Sequence, residues 1–254
     1  MKMKNDYKAF AFDLDGTLAV SKSALSEEVS QFLCKLLSKG KSVMIISGGW
    51  MPQFEKQFLA NFKCPKKNLK RLYLMPTSGA VMYFYDGEKW DKKYEHKIPK
   101  EDVQMISNAF DSILSKLSFK MPKENIWGEQ FENRITQISY SALGQQAPIE
   151  EKEKWDSNDL KKAEMVKLLV PMLPKYTVKS GGTTTIDVTL KGVDKGFGME
   201  QFLKESGFKK EEVLFTGDRL YEGGNDYAVV RTGVDTCEVD NPRDMLHKLS
   251  KFVD

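Results

Sequence analysis

Short apolar runs alternate with amphipathic segments through the first third of the chain. Residues 8–12 form an apolar run that ends in acidic residues and glycine, which predicts a buried strand. Ser26 precedes apolar residues at helical spacing that stop at Gly40, and this indicates a capped helix. The same alternation predicts a strand at residues 42–46, a helix at about 51–60 and a strand at 72–75. Strand–helix–strand repetition of this kind is typical of parallel strands with helices on the sheet faces.

The pattern changes after Gly79 and becomes a mixture of hairpins and helices. It predicts a hairpin at 80–90, a helix at about 100–117, a strand at 134–140, a helix at about 158–172, and strands at 176–179 and 184–190. Pro171 and Pro174 end the second helix, since proline cannot continue one. A mixed block of this kind indicates a separate α+β lobe.

Alternation resumes in the last quarter of the chain. The predicted elements are a helix at 196–206, a strand at 213–216, a short helix at 226–230, a strand at 236–239 and a helix at about 242–252. The fold class is therefore α/β, with a doubly wound, Rossmann-like parallel-sheet core and an inserted α+β cap domain. The core is expected to be discontinuous, at residues 1–81 and 189–254, and the cap to span residues 82–188.

Composition narrows the function mainly by exclusion. A net charge of +3, from 39 basic and 36 acidic residues among 254, gives no strong attraction to nucleic acid or membrane. The first six residues are too polar for a signal peptide, and no apolar run approaches the roughly 18 residues of a membrane span. Three cysteines without metal-like spacing argue against a disulfide framework, which makes a reducing cytoplasm the expected compartment.

Polar residues that could carry chemistry follow several of the predicted core elements. They are Asp13 and Asp15, the run Ser47-Gly48-Gly49, Lys195 before the resumed helix, Asp218 after the strand at 213–216, and Asn225-Asp226. Ligands of parallel α/β sheets gather at the carboxyl ends of the strands. Taken alone, the glycine-containing runs are common turns, Lys195 a surface lysine and Asp218 a helix cap. Their joint occurrence at strand ends favours a binding site.

The residue types suit phosphoryl transfer, which needs a nucleophile, a cation and a proton carrier. Asp13 is the candidate nucleophile and would form an aspartyl-phosphate. With Asp218 and the backbone carbonyl of Asp15 it would also hold a hard cation, Mg²⁺. The side chain of Asp15 would then act as general acid and base on the leaving or attacking oxygen.

The remaining groups would hold the phosphate. Ser47 and neighbouring backbone N–H groups, with Gly48 among them, would cradle its oxygens. Lys195 adds positive charge, and Asp226 would orient that ammonium. Asn225 is a further candidate for substrate binding.

With these residues in place, the chain resembles the haloacid dehalogenase superfamily, the phosphotransferases with an aspartate nucleophile. The resemblance rests on Asp13-Leu14-Asp15-Gly16-Thr17-Leu18, Ser47, Lys195, and Gly217-Asp218 with Asn225-Asp226. The position of the inserted lobe is similar to the α+β cap of the sugar-phosphatase subclass.

A narrower resemblance, to eukaryotic-type phosphomannomutases, covers most of the chain. It rests on residues 131–134 followed by 141–144, on residues 181–188, and on the Asp194-Lys195 pair. It implies that Arg134, Thr185 and Asp187 recognise a sugar phosphate. It also implies a homodimer through the cap, because the mutases pair in this way.

The chain departs from the mutase pattern where those enzymes bind a distal phosphate with arginines. By this alignment three of these arginines become Lys22, Gln145 and Lys152. Arginine grips phosphate in a bidentate manner, whereas lysine is a point charge and glutamine is neutral. A mutase must hold a bisphosphate while it reorients, so these losses favour a phosphatase.

The sequence therefore predicts a Mg²⁺-dependent phosphatase of a small phosphorylated metabolite of the sugar phosphate class. The first alternative is a phosphomannomutase that interconverts mannose 6-phosphate and mannose 1-phosphate. The second is a non-catalytic binding protein on the same fold, which the intact motifs disfavour.

Overall fold

The computed structural model describes residue 4, residues 6–181 and residues 183–253. Residues 1–3 and 5, which carry part of the signal-peptide prediction, and Gly182, in the segment similar to the mutases, lie outside this range. The chain divides into two compact units. The core unit comprises the described residues of Met1–Glu95 and Val193–Asp254, and the inserted unit comprises those of His96–Gly192.

The elements follow the predicted order closely. The strands are β1 Ala9–Asp13, β2 Ser42–Ile46, β3 Leu72–Met75, β4 Val81–Tyr85, β5 Trp90–Glu95, β6 Phe131–Asn133, β7 Gln137–Ser141, β8 Tyr176–Ser180, β9 Thr185–Leu190, β10 Val213–Gly217 and β11 Asp235–Glu238. The α-helices are α1 Glu27–Ser38, α2 Met51–Gln53, α3 Lys100–Leu114, α4 Ile149–Trp155, α5 Leu160–Leu169, α6 Lys195–Ser206, α7 Tyr227–Val230 and α8 Pro242–Leu249.

The core unit contains a seven-stranded sheet in the order β11-β10-β1-β2-β3-β4-β5. The first five strands of that order are parallel to one another. Successive side chains of a strand point to opposite faces, and β1 shows the consequence. Phe10 and Phe12 pack on one face with α1 and α8, and Ala9 and Ala11 pack on the other with α6 and α7. The doubly wound fold is thus confirmed.

The hairpin of β4 and β5 extends the core sheet. β4 pairs antiparallel with β3, with Tyr73 opposite Phe84, and β5 pairs with β4. The inserted unit therefore runs over His96–Gly192, and the boundaries at residues 82 and 188 expected from the sequence are corrected. The free edge of β3 accounts for the difference, because its backbone groups need partners and the hairpin supplies them.

The inserted unit is an α+β lobe with its own core. Its four strands form a sheet in the order β6-β7-β9-β8, and every neighbouring pair is antiparallel. Phe110 of α3 and Met165 of α5 pack against Ile138 and Val188 of the sheet. The strand expected at residues 134–140 is in fact a hairpin of β6 and β7, which turns at Ile135 with φ of +70°. The sequence pattern also missed α4.

The helix expected at residues 51–60 is present but irregular. It starts as α2, continues as a π-helix over Phe54–Phe58 and ends as a 3₁₀ turn over Leu59–Asn61. A π turn inside a helix shifts the side chains that follow it around the axis, and such turns are frequent at functional sites. This segment carries Gln53 and Gln57, whose side chains contact Asp15.

The cysteines were expected to argue against a disulfide framework, yet one disulfide is present. Cys34 of α1 is bonded to Cys64, and their Cα atoms lie 5.4 Å apart, within the range that a disulfide requires. Cys237 is buried and free. An odd number of cysteines argues against a framework of several bridges but does not exclude one pair. The cysteine-based argument for a reducing compartment therefore loses its support.

None of the helices within the described part of the chain is long and apolar enough to cross a bilayer.

The disulfide should add to stability because it closes a loop between residues 30 positions apart. Opening such a loop costs on the order of 3 kcal/mol. Reduction should therefore lower the urea midpoint of the wild type and leave a Cys34→Ser/Cys64→Ser variant unchanged. Thiol titration in denaturant should find one free thiol before reduction and three afterwards, and three from the start would contradict the bridge.

Candidate active site

The loop after β1 brings two carboxylates to the carboxyl edge of the core sheet. Asp13 is the last residue of β1 and is buried, and Asp15 follows in the loop with its side chain half-buried. Gly16, which directly follows Asp15, has φ of +92°. A Cβ at this position would lie 2.4 Å from Oδ2 of Asp218, so glycine is required for the two loops to approach each other.

Lys195 links the two halves of the discontinuous core. It is the first residue of α6, whose N-cap is Asp194, and its side chain is 1% exposed. Its Nζ donates to Oδ1 of Asp13 at 2.5 Å and to Oδ1 of Asp226 at 2.6 Å. The second oxygen of Asp226 accepts from the backbone N–H of Arg219 at 3.0 Å. Both oxygens of Asp226 are therefore engaged, one of them with the lysine that the sequence predicts it to orient.

Among the described residues, the local cluster around Lys195 contains more carboxylates than cationic groups. Asp13, Asp218 and Asp226 each present an oxygen within 4.8 Å of the others. If all three are ionised, the ammonium of Lys195 and the guanidinium of Arg219, whose Nε lies 3.6 Å from Oδ2 of Asp218, leave the cluster with one excess negative charge. Oδ1 of Asp218 is buried and finds no hydrogen-bond partner in the described chain. A buried oxygen of this kind is costly, and a divalent cation with oxygen ligands would satisfy it.

The electrostatics follow from burial in the core. Burial raises the pKa of Asp13 above the ordinary carboxyl range, Lys195 opposes that shift, and Asp226 and Asp218 reinforce it. Burial alone would lower the pKa of Lys195, but Asp13 and Asp226 outweigh it and raise this pKa. The lysine is thus held as a cation, and the positive charge it supplies favours the ionised form of Asp13 that a nucleophile needs.

The loop after β2 supplies hydrogen-bonding groups beside these carboxylates. Ser47 is buried, and its Oγ accepts from the backbone N–H of Gly49 at 3.1 Å. Its carbonyl accepts from the N–H of Ser78 at 2.8 Å. With Oγ fixed as an acceptor, the hydroxyl proton of Ser47 can point at an oxygen of a bound anion. The exposed Gly48 lies next to it.

A cavity of about 330 Å³ joins these loops, and we call it the catalytic pocket. Its lining is Asp13, Asp15, Gly16, Ser21, Ser47, Gly48, Gly49, Asp218, Arg219 and Asn225. The core-unit residues predicted from the sequence therefore lie together. Lys195 and Asp226 are buried among them, bonded to Asp13 and to each other. The sequence did not identify Ser21 and Arg219.

The side chain of Asp15 has partners that the sequence analysis missed. Its Oδ1 accepts from Nε2 of Gln57 at 2.9 Å and from the backbone N–H of Lys22 at 2.7 Å. Its Oδ2 accepts from Nε2 of Gln53 at 3.0 Å. The four-residue spacing of two glutamines just after Ser47-Gly48-Gly49 was the signal that could have pointed to them.

The substrate residues predicted in the inserted unit lie on β9 and around the β6–β7 hairpin. Arg134 is paired with Glu132, with 2.7 Å between its Nη2 and Oε2 of the glutamate. The same Nη2 donates to Oε1 of Gln145 at 3.5 Å. Asp187 accepts from the hydroxyl of Ser139 at 2.7 Å, and burial raises its pKa. Thr185, half-buried, lies on the same strand.

The other two positions that depart from the mutase pattern are separated between the units. Lys152 of the inserted unit donates from Nζ to the backbone carbonyl of Gln145 at 3.1 Å. Lys22 belongs to the core unit, where its backbone N–H contacts Asp15 and its side chain is exposed.

The sequence matches a known protein family and individual proteins outside this chain. Residues 10–232 match the family described as haloacid dehalogenase-like hydrolase. The chain is 27% identical over 247 residues to a phosphomannomutase of Schizosaccharomyces pombe, which covers 95% of this chain and 92% of the relative. It is 28% identical over 226 residues to the phosphomannomutase of Saccharomyces cerevisiae, with 86% and 83% covered.

Solved structures share the fold. An N-terminally truncated IMP-nucleotidase of Plasmodium falciparum superposes with a TM-score of 0.68 and 20% identity, over 97% of this chain and 70% of that one. A trehalose-6-phosphate phosphatase of Aspergillus fumigatus gives a TM-score of 0.60 and 17% identity, over 98% and 93%.

Replacement of Lys195 by methionine should destabilise the protein strongly. It leaves Asp13 and Asp226 buried without a counter-charge, which costs about 3–5 kcal/mol. Lys204→Met, an exposed position on the same helix, should stay within ~0.5 kcal/mol of the wild type in urea denaturation. Adding Asp226→Asn to Lys195→Met should recover part of the loss, and a further loss would contradict the charge-balance explanation.

A divalent cation should stabilise the folded state through Asp218. Addition of Mg²⁺ at about 100 times its dissociation constant should raise the free energy of unfolding by about 2.7 kcal/mol, seen as a higher Tm. Asp218→Asn should abolish the shift, whereas Asp240→Asn, an exposed carboxylate, should retain it. An undiminished shift in Asp218→Asn would remove this residue from the cation site.

Proposed function

The chain belongs to the haloacid dehalogenase-like hydrolases, which transfer phosphoryl groups, and we propose that it is a Mg²⁺-dependent phosphatase of a small sugar phosphate. The observation that carries the proposal is the buried arrangement in which Lys195 holds Asp13 and Asp226 while one oxygen of Asp218 lacks a partner. This arrangement presents a fixed carboxylate, a neighbouring cation and carboxylate oxygens that could hold a second cation. Together they suit an anionic phosphate.

The residues that would hold Mg²⁺ are Asp13 and Asp218, with the backbone carbonyl of Asp15 as the third ligand that the sequence predicts. When bound, the ion would offset the negative charge of the phosphate and of the carboxylates around it. The orphaned oxygen of Asp218 fits that role.

In the proposed reaction Asp13 attacks the phosphorus atom of the substrate. The new bond joins a carboxylate oxygen of Asp13 to phosphorus, and the bond from phosphorus to the leaving oxygen breaks. Asp15 gives its proton to that oxygen, so the sugar leaves as an alcohol. Water then attacks the aspartyl-phosphate, Asp15 takes a proton from it, and inorganic phosphate and free Asp13 are regenerated.

The other residues of the catalytic pocket would bind and orient the phosphate. Ser47 would donate its hydroxyl proton to a phosphate oxygen, and the backbone of Gly48 and the side chain of Asn225 would contact others. Lys195 would keep Asp13 ionised and offset charge on the transferred group, with Asp226 holding its ammonium in place.

The substrate class rests on the relatives and on the inserted unit. Phosphomannomutases and a trehalose-6-phosphate phosphatase are among the similar proteins. In the inserted unit, Arg134, Thr185 and Asp187 are the residues that we assign to recognition of the sugar phosphate. By this assignment, the inserted unit would determine which phosphate ester is accepted.

A phosphomannomutase is the second candidate, and the sequence relatives favour it. The residues around Arg134 favour the phosphatase instead. Arg134 is already paired with Glu132, Gln145 is neutral, and Lys152 is bound to a backbone carbonyl. A site that must hold the second phosphate of a bisphosphate needs more free positive charge than this group offers.

Two expectations of the resemblance complete the proposal. The protein would form a homodimer through the inserted unit and would act in the cytoplasm on a phosphorylated small molecule. Neither nucleic acid nor membrane would be a partner.

A phosphate-release assay over a panel of sugar phosphates tests the proposal. Asp13→Asn should lower kcat/KM by about 10³-fold or more, because the amide is a poor nucleophile. Asp86→Asn, in the exposed β4–β5 turn, should retain full activity. Full activity in Asp13→Asn would rule out this nucleophile.

The same assay separates phosphatase from mutase. Mannose 1-phosphate should release phosphate whether or not a sugar 1,6-bisphosphate is present. Isomerisation to mannose 6-phosphate that outruns phosphate release would overturn the phosphatase in favour of the mutase.

A further inference from the structure

The carboxylate of Asp15 is held on both of its oxygens. Three N–H groups donate to it at 2.7–3.0 Å, from the side chains of Gln53 and Gln57 and from the backbone of Lys22. Nε2 of Gln53 also donates to Oε1 of Gln57 at 3.0 Å. A planar carboxylate with donors on both oxygens loses its freedom to rotate about the bond to its Cβ.

The irregular helix after β2 brings the two glutamines to one face. Gln53 ends α2, and Gln57 lies four residues on, inside the π turn. Side chains at this spacing are neighbours on a helix surface. The backbone carbonyl of Gln57 is itself fixed by the N–H of Leu25 at 2.9 Å. The glutamines are thus anchored to the segment that follows the Asp15 loop.

Gln53 also joins Asp15 to the loop of Ser47. A Cβ on Gly49 would lie 2.2 Å from Oε1 of Gln53, so the amide packs directly on the backbone of that loop. The same amide bonds Asp15 through Nε2. One side chain therefore sets the position of the proton carrier relative to the proposed phosphate cradle.

The pair does not serve merely to fill the core. Gln57 is 4% exposed, between the fully buried Phe54 and Phe58, where an apolar residue would avoid the cost of burying an amide. The two glutamines also line a second cavity of about 420 Å³, together with Lys22, Trp50 and Pro52 among others. Their amide N–H groups are nevertheless used on Asp15.

We propose that Gln53 and Gln57 are positioning residues that aim the carboxyl of Asp15 at the leaving oxygen of the substrate. This inference rests on the proposed function and adds two residues to it. Proton transfer requires the donor and acceptor atoms to come within about 2.6–3.2 Å in a fixed direction. The amides supply that direction, and they do not touch the substrate themselves.

The leaving group provides the test, because only a poor leaving group needs the proton. Gln53→Met and Gln57→Met keep the approximate volume and remove the amide. With a sugar phosphate, whose leaving group is an alcohol, kcat/KM should fall by about 10–10²-fold. With p-nitrophenyl phosphate, whose phenolate leaves unprotonated, kcat/KM should fall by less than about 3-fold. KM for the sugar phosphate should change little, so the loss lies in kcat.

Lys56→Met is the matched control, because it lies on the same helical segment and is exposed. It should leave both substrates unaffected. Asp15→Asn should show the same leaving-group dependence as the glutamine variants, with a larger loss. In that background Gln53→Met should add nothing for the sugar phosphate, whereas independent roles would make the losses multiply.

Equal losses on both substrates, or no loss on either, would overturn the inference. Gln53 is half-buried, so its variant keeps the test valid if the buried Gln57→Met proves unstable in urea. The proposed function fails separately: it falls if Asp13→Asn still releases phosphate. Loss of activity in Asp13→Asn together with equal losses in the glutamine variants would reject the positioning role alone.

Discussion

Lys195 places an ammonium group between two carboxylates in a buried part of the core unit. Asp13 comes from the first strand, Lys195 from the first helix after the insertion, and Asp226 from the loop that follows β10. Each of these charges would be costly to bury alone, so the three positions are stable only together. The pairing thus ties the two halves of a discontinuous domain at the point where the chemistry is proposed.

The sheet order explains how these residues meet. β1 lies between β10 and β2, all parallel, so the loops that carry Asp13, Ser47 and Asp218 leave the same edge side by side. Gly16 permits the last approach, since any side chain there would collide with Asp218. The excess of carboxylates over cationic groups is then a consequence of geometry, and the proposed divalent cation would offset it.

Much of the core followed from local pattern, because its central strands β1, β2 and β10 are short apolar runs followed by polar residues. The motifs located Asp13, Lys195 and Asp226 for the same reason: their positions are fixed by strand ends and a helix start. The hairpin was assigned to the wrong unit because strand pairing depends on which edge is free, and the chain does not state that locally. The Cys34–Cys64 disulfide and the hydrogen bonds of the two glutamines to Asp15 were not predicted for a similar reason, since both are contacts between distant segments. The pairing of Arg134 also depends on the turn of the β6–β7 hairpin, which brings Glu132 and Gln145 within reach of its guanidinium.

Asp13 and Asp15 lie two residues apart, yet opposite means hold them. Asp13 is buried and fixed by charge, through an ammonium that favours its ionised form against the effect of burial. Asp15 is half-buried and is oriented by neutral N–H groups, from the side chains of Gln53 and Gln57 and the backbone of Lys22. The proposed nucleophile attacks as a carboxylate and loses that charge when its oxygen bonds to phosphorus, whereas the proposed proton carrier alternates between two protonation states. The difference in their surroundings therefore matches the difference in their proposed work, and it arises within the core unit. In the proposed function, the choice of phosphate ester would fall to the inserted unit.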